Sequence, residues 1–247
     1  MVRWLGAGLA LALAGGAQAA SEDSAIELPA EQIEKIVRDY LMREPEIIYQ
    51  ALEELQRRQA EAAAARQRLA IIENREQLIN DAGDPVAGNP DGNVTVVEFF
   101  DYQCGYCRQV DRSVRELMDE DPQLRVVFKE FPILGEASVV AARAALAARE
   151  QDRYLSFHLA LMDSGDLSLA GILKLAEQVG LDAERLESDM QAPAIERQLQ
   201  ENHELAQKLG IEGTPAFVVG EELVPGALDK QRLAGLVEEV RSNCATC

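Results

Sequence analysis

The sequence predicts an α/β domain with a long helical segment on its N-terminal side. Three observations carry that expectation. Two strand-length runs rich in β-branched and aromatic residues, "VTVVEFF" (94–100) and "LRVVFKEF" (124–131), flank the amphipathic stretch "RQVDRSVRELMDED". Strand, helix and strand at this spacing imply a right-handed crossover and a parallel pair. Residues 30–80 and 136–209 repeat apolar positions at helical spacing.

The elements follow in chain order. Residues 1–20 read as an export signal. Arg3 supplies a positive start, "LGAGLALALAGG" is too short to span a bilayer, and "AQA" (17–19) has the small-x-small cleavage pattern. Cleavage is expected after Ala19 or Ala20, giving an exported, periplasmic location where disulfides form and persist. No other segment is long and apolar enough to cross a membrane.

In residues 21–80, "AEQIEKIVRDYLMRE" repeats apolar side chains at Ile33, Ile36, Val37, Tyr40 and Leu41. Pro45 suits the first turn of a second helix, where its missing N–H costs nothing. A seam then runs through Ile48, Leu52, Leu55, Ala62, Leu69, Ile72 and Ile79, interrupted by Gln59, Arg66 and Glu76. A period near 3.5 over this length predicts a helix that pairs with copies of itself, giving a homodimer or homotrimer. The alternative is one helix packed on its own domain.

"NDAGDPVAGNPDGN" (80–93) is a turn-rich boundary, with Val86 opening a short edge strand. The helical block 136–209 shows interruptions near Gly165, Gly180 and Pro193. "PAFVVGEELVPG" reads as an antiparallel hairpin and "DKQRLAGLVEEVRS" as a final helix. With 24 basic and 43 acidic residues the formal net charge is −19, one unit more negative once Arg3 leaves with the signal. That balance argues against nucleic acid or an anionic membrane as partner, since both need clustered positive charge.

Four cysteines fall into two CxxC pairs, Cys104/Cys107 and Cys244/Cys247. Cys104 stands between a strand and a helix, where unpaired N–H groups and the helix dipole favour the thiolate, the nucleophile of disulfide exchange. Cys107 lies one turn on, within reach to close a disulfide. Cys104 is expected to attack and Cys107 to resolve the mixed disulfide, with Gly105 and Tyr106 setting how far the thiolate is stabilised. An inert bridge is the alternative, but so small a loop constrains little of the unfolded chain. A zinc half-site would need ligands that His158 and His203, both on predicted helices, are poorly placed to give, so no metal is expected. Glu98, in the middle of "VTVVEFF", is costly to bury unless partnered or functional.

"VEFFDYQCGYC", "FKEFPILG" and "GTPAF" together resemble the exported thioredoxin-fold thiol oxidoreductases of the DsbA type. "YLMREPEIIYQALEELQRRQ" resembles the appended oligomerisation segment of the ScsC and Com1-like branch, associated with copper tolerance and disulfide shuffling. The resemblance implies a thioredoxin fold over residues 85–241 with an inserted helical domain at about 136–209 and an N-terminal helical oligomerisation stalk. It implies no cofactor, client proteins with thiols or disulfides, and a membrane-bound redox partner. It also implies that Thr214–Pro215 is a cis bond facing the active-site cysteines and contacting the client. Glu98 and Lys129 would lie as a pair under the disulfide, the acid relaying the proton of Cys107. The Gly-Tyr dipeptide and the Thr before proline depart from strongly oxidising members and look more like isomerases.

The tail "SNCATC" (242–247) has no strand before it and no helix after it, so Cys244 gains no help from a helix N-terminus. It reads as a self-closed disulfide, a Cu(I) ligand pair, or a second redox pair exchanging with the first. The leading expectation is a protein disulfide oxidoreductase with isomerase or reductase character. A Cu(I)-binding protein using the CxxC pairs is the runner-up, and a structural envelope protein built around the long helix is a third.

Overall fold

The computed structural model describes residues 29–243. The expected export signal and the pair Cys244 and Cys247 lie outside the described residues. The chain divides into two units, Met1–Arg57 and Arg58–Cys247. In the first, α1 (Ala30–Arg43) is amphipathic and α2 (Glu46–Glu73) begins. Pro45 immediately precedes α2, and its carbonyl accepts the N–H of Ile48 at 3.1 Å. Ile33, Ile36, Val37, Tyr40, Ile48 and Leu52 are all exposed.

In the second unit α2 continues to Glu73 and is followed by a short α3 (Arg75–Ile79). The expected seam does not run on to Ile79 in one helix, because the backbone breaks at Asn74, whose side chain donates to the Ala70 carbonyl at 2.7 Å. Ile71 and Leu78 are buried. Then come β1 (Val86–Gly88), β2 (Val94–Phe100), α4 (Gly105–Glu120) and β3 (Leu124–Glu130). The helical block holds α5 (Glu136–Ala147), α6 (Tyr154–Asp163), α7 (Leu169–Gln178), α8 (Ala183–Asp189) and α9 (Pro193–Leu209). The hairpin β4 (Ala216–Val219) and β5 (Glu222–Pro225) and the closing α10 (Lys230–Asn243) complete it.

The interruptions fall at Gly165, Gly180 and Pro193 as expected. A further break at Ala148–Gln151 is a 3-10 turn ending in Asp152 with φ +54°. No described helix is long and apolar enough to cross a membrane.

The strands form one mixed sheet in the order β1-β3-β2-β4-β5, with β2 and β3 parallel and the other neighbours antiparallel. Strands β2 and β3 are buried on both faces, which is why they read as near-continuous apolar runs. One face carries Val94, Val96, Phe100, Leu124, Val126 and Phe128 under α4, α10 and most of the inserted helices. The other carries Val97, Phe99, Val127 and Val218 and is covered by Ile71, Leu78, Leu205 and Leu209. Each such fully buried side chain contributes about 1.5–3 kcal/mol of hydrophobic free energy. The β4–β5 turn needs Gly220, whose φ is +61° and where an added Cβ would stand 2.9 Å from Val240. Gly210, at φ +70°, closes α9 as its left-handed cap. These elements make a thioredoxin fold with a helical insertion between β3 and β4.

Candidate active site

Strand β2 ends at Phe100, and a tight turn delivers Cys104 to the N-cap of α4. Its Sγ accepts the Cys107 N–H at 3.4 Å and donates to the Thr214 carbonyl at 3.3 Å. An N-cap position offers unpaired N–H groups and the positive end of the helix dipole, both favourable to negative charge on sulfur. Cys107 faces inward from the first turn of α4 and is fully buried, while Cys104 is 7% exposed; both are free thiols. Thr214–Pro215 is a cis bond leading into β4. Tyr106 is 66% exposed, and a Cβ at Gly105 would meet nothing within 4 Å. Neither residue adds a charge to the site.

Burial pushes the Cys107 thiol far above its ordinary range; a hydrogen bond with the Asp101 main chain pulls the other way, and the Glu98 charge adds to the upward push. Glu98 pairs across the sheet with Phe128 and Phe217 and shares its face with Val96 and Phe100, the face covered by α4. Its Oε1 is buried without a hydrogen-bond partner. Burial, then the charges of Asp111 and Cys104, raise this carboxyl well above the usual carboxylate range. The site therefore holds a proton-retaining acid on the same face as a buried thiol.

A stability prediction follows. The folded state binds the Glu98 proton more tightly than the unfolded chain. Its stabilising contribution is complete below the ordinary carboxylate range and is lost as pH rises through the raised value. Glu98→Gln keeps the shape and removes the ionisation. Thermal melts should show the variant gaining on the wild type from pH 5 to pH 8. A difference independent of pH would contradict the assignment.

Lys129 corrects one expectation. In the parallel register Glu98 lies opposite Phe128 and Phe99 opposite Lys129, so the two charged side chains leave the sheet on opposite faces. Lys129 is fully buried on the far side, where Nζ donates to the Gln77 carbonyl at 2.6 Å and to Asp84. Asp84 in turn accepts from Gln198 at 2.9 Å. The Glu98–Lys129 pair under the cysteines is not formed.

Several polar residues on the active-site face escaped the sequence reading. Asp111, one turn beyond Cys107 on α4, is buried and ion-paired with Arg115 at 2.6 Å. His158 approaches it through Nε2 at 3.5 Å. Burial holds His158 below its ordinary value, with Asp111 pulling the other way. Tyr102 and Tyr154 each donate to Glu130 Oε1 at 3.0 Å. Tyr102 Oη also lies 3.0 Å from His158 Nδ1. The i, i+4 spacing of Cys107, Asp111 and Arg115 was a usable signal for the first group; the tyrosines and Glu130 meet only in three dimensions. His158 is buried and His203 exposed. Among the described residues no group of three or more His, Cys, Asp or Glu side chains is arranged to hold a metal ion.

Comparison with known proteins agrees with this geometry. Residues 95–238 match the family model described as DSBA-like thioredoxin domain, and residues 31–62 match the copper resistance protein ScsC N-terminal domain. A thioredoxin-like oxidoreductase from Silicibacter pomeroyi DSS-3 is 52% identical over 68% of this chain and 98% of its own, with a TM-score of 0.67. A linker-deletion mutant of ScsC from Proteus mirabilis is 31% identical over 90% of this chain and 100% of its own, with a TM-score of 0.66. A Na(+)/H(+) antiporter NhaA 1 from Salinispora arenicola is 32% identical over 157 residues, 62% of this chain. The chain spans only about a quarter (24%) of that curated relative's length. The chain belongs to the DSBA-like thioredoxin domain family and carries on its N-terminal side a segment of the ScsC N-terminal type.

Proposed function

We propose that the chain is an exported, periplasmic thiol-disulfide oxidoreductase that acts on client proteins through Cys104 and Cys107. The observation that carries the reading is the unequal setting of the two thiols: Cys104 caps a helix and keeps 7% of its surface exposed, and Cys107 is fully buried within reach of the Glu98 charge. In the reductive direction the Cys104 thiolate attacks a client disulfide, a Cys104–client bond forms, and one client thiolate leaves. Cys107 then loses its proton, relayed through the protonated Glu98 carboxyl to the departed client thiolate, and attacks the Cys104 sulfur. The Cys104–Cys107 disulfide forms, the client bond breaks, and the second client thiol is released. Thr214 and Pro215, beside the Cys104 sulfur, form the client-contacting loop.

Isomerase or reductase character is favoured because Gly105 and Tyr106 bring no positive charge to the thiolate. A membrane-bound redox partner resets the pair. Scrambled ribonuclease incubated with the reduced protein should regain activity. Failure both to reshuffle that client and to oxidise a reduced one would sink the enzyme reading.

The exposed apolar positions of α1 and α2, together with the match of residues 31–62, support self-association as a dimer or trimer. Ile71 and Leu78 belong to the core of the second unit, so the informative truncation starts at Arg58 and leaves them in place. Light scattering should give the truncated chain a smaller number of copies than the full one; equal numbers remove the claim. Cu(I) binding by the Cys104–Cys107 dithiol is a second reading, favoured only by the copper-resistance description of the N-terminal match. Anaerobic titration that saturates at one Cu(I) per dithiol would support it.

A further inference from the structure

Asp101 sits between β2 and Cys104, is 1% exposed, and has no cation paired with it among the described residues. Its carboxylate nevertheless accepts four hydrogen bonds. Oδ1 takes the Gln103 N–H at 2.7 Å and the Ser138 hydroxyl at 2.7 Å; Oδ2 takes the N–H groups of Ile133 at 2.8 Å and Leu134 at 2.9 Å. Its own carbonyl accepts the Cys104 N–H at 3.0 Å.

The chemistry of the set is restrictive. Four donors converge on two oxygens, so the position demands an acceptor-only group; an amide would offer one oxygen and turn an NH2 towards two of the donors. A buried polar hub of this kind fixes the segments it joins. Those segments are the turn that presents Cys104, the stretch Ile133–Leu134 just beyond β3, and the start of α5.

The tied segments carry apolar surface. Leu134 is 49% exposed and Tyr106, between the two cysteines, is 66% exposed. Gly135, next along, has φ +132° and would place a Cβ 3.8 Å from the Gln103 side chain, so the segment lies against the active-site turn. An exposed leucine held in register with a nucleophilic sulfur is a contact for the residues that flank a client's cysteine.

We propose that Asp101 is a positioning residue that registers Leu134 against Cys104, and that the protein thereby prefers disulfides flanked by apolar side chains. The proposal rests on the thiol-disulfide exchange reading above and names the substrate class of that site. The reaction used to test it is the reduction of a homodimeric disulfide peptide. Two electrons pass from the Cys104–Cys107 dithiol to the peptide disulfide, yielding the protein disulfide and two peptide thiols.

Two such peptides, with leucine or serine next to the cysteine, are compared with the full-length reduced protein. The measured quantity is the ratio of their second-order rate constants, which cancels differences in active fraction and in intrinsic Cys104 reactivity. The wild type should favour the leucine peptide by about 5–10-fold, in line with partial burial of one leucine. Leu134→Ser should bring the ratio close to one. Asp101→Asn should do the same although Leu134 is still present, and a melting curve checks that it folds. If Asp101→Asn does not fold, Ser138→Ala, which removes one of the four donors, should lower the ratio by about half.

A wild-type ratio near one overturns the specificity. A ratio unmoved by Leu134→Ser overturns the role of Leu134. A ratio unmoved by a folded Asp101→Asn, or by Ser138→Ala where that substitute is used, overturns the positioning role. If the wild type reduces neither peptide, it is the exchange reading that fails, and the two failures are thereby told apart.

Discussion

Cys104→Ala is expected to reduce disulfide exchange to the uncatalysed background, whereas Cys107→Ala should accumulate a mixed disulfide with the client. The asymmetry comes from position. Cys104 is the sulfur at the helix N-cap, accepting the Cys107 N–H, and it retains access to solvent. Without it, the remaining thiol is sealed in the core and held protonated by burial. An isolated buried thiol is neither accessible nor ionised, the two requirements for attack. Without Cys107 the first attack still occurs, but the second cannot, and the covalent intermediate outlives the reaction. Non-reducing gels of each variant with a scrambled client distinguish the cases. A mixed disulfide that forms in Cys104→Ala instead would reverse the assignment of nucleophile and resolver.

The second large effect lies on the other side of the sheet. Lys129→Met should lower the unfolding free energy by about 3–5 kcal/mol, because removing one member of a buried pair leaves the other uncompensated. Both side chains of the Lys129–Asp84 pair are sealed from solvent, so screening by water does not reduce the effect. Burial already outweighs the attraction of Lys129 and lifts Asp84 from 3.8 to about 6. An acid with a raised folded-state value loses its stabilising contribution as pH rises through that value. Without Lys129 the value rises further, so the loss continues to higher pH, and the penalty of the substitution should grow between pH 5 and pH 8. Urea unfolding of Lys129→Met and of the double variant Lys129→Met/Asp84→Leu measures both points. The double variant should recover part of the loss. A single variant within about 1 kcal/mol of the wild type would contradict the account.

How far the sequence could be read depends on which kind of interaction decides each feature. The two central strands, the crossover helix and the hairpin were legible because their patterns are local: β-branched runs, an amphipathic stretch, a turn at "GEE". The breaks at Gly165, Gly180 and Pro193 carried their own punctuation. The break after Ala147 carried none, since the left-handed residue there is Asp152 rather than a glycine. Cys104, Cys107 and Glu98 stood out as candidates by their flanks.

Lys129 was misplaced because "FKEF" puts a lysine and a glutamate side by side in a buried strand. Only the pairing register decides which of them faces the cysteines, and a shift of one residue exchanges the faces. The register with β2 turns Glu130, not Lys129, towards the active-site side. Asp101 was invisible for a related reason: its donors on Ile133, Leu134 and Ser138 lie 32 to 37 residues away.

Helix α10 closes the chain against the far end of α4. Arg241, near its end, is bound to Asp121 at 2.6 Å and to Asn93 at 3.1 Å. Asp121 caps the far end of α4, and α4's 16 residues put about 24 Å between that end and the one occupied by Cys104. The last described turn of the chain is therefore fastened to the end of the active-site helix remote from the nucleophile, so that helix is held at both ends: by the Asp101 turn at one and by α10 at the other.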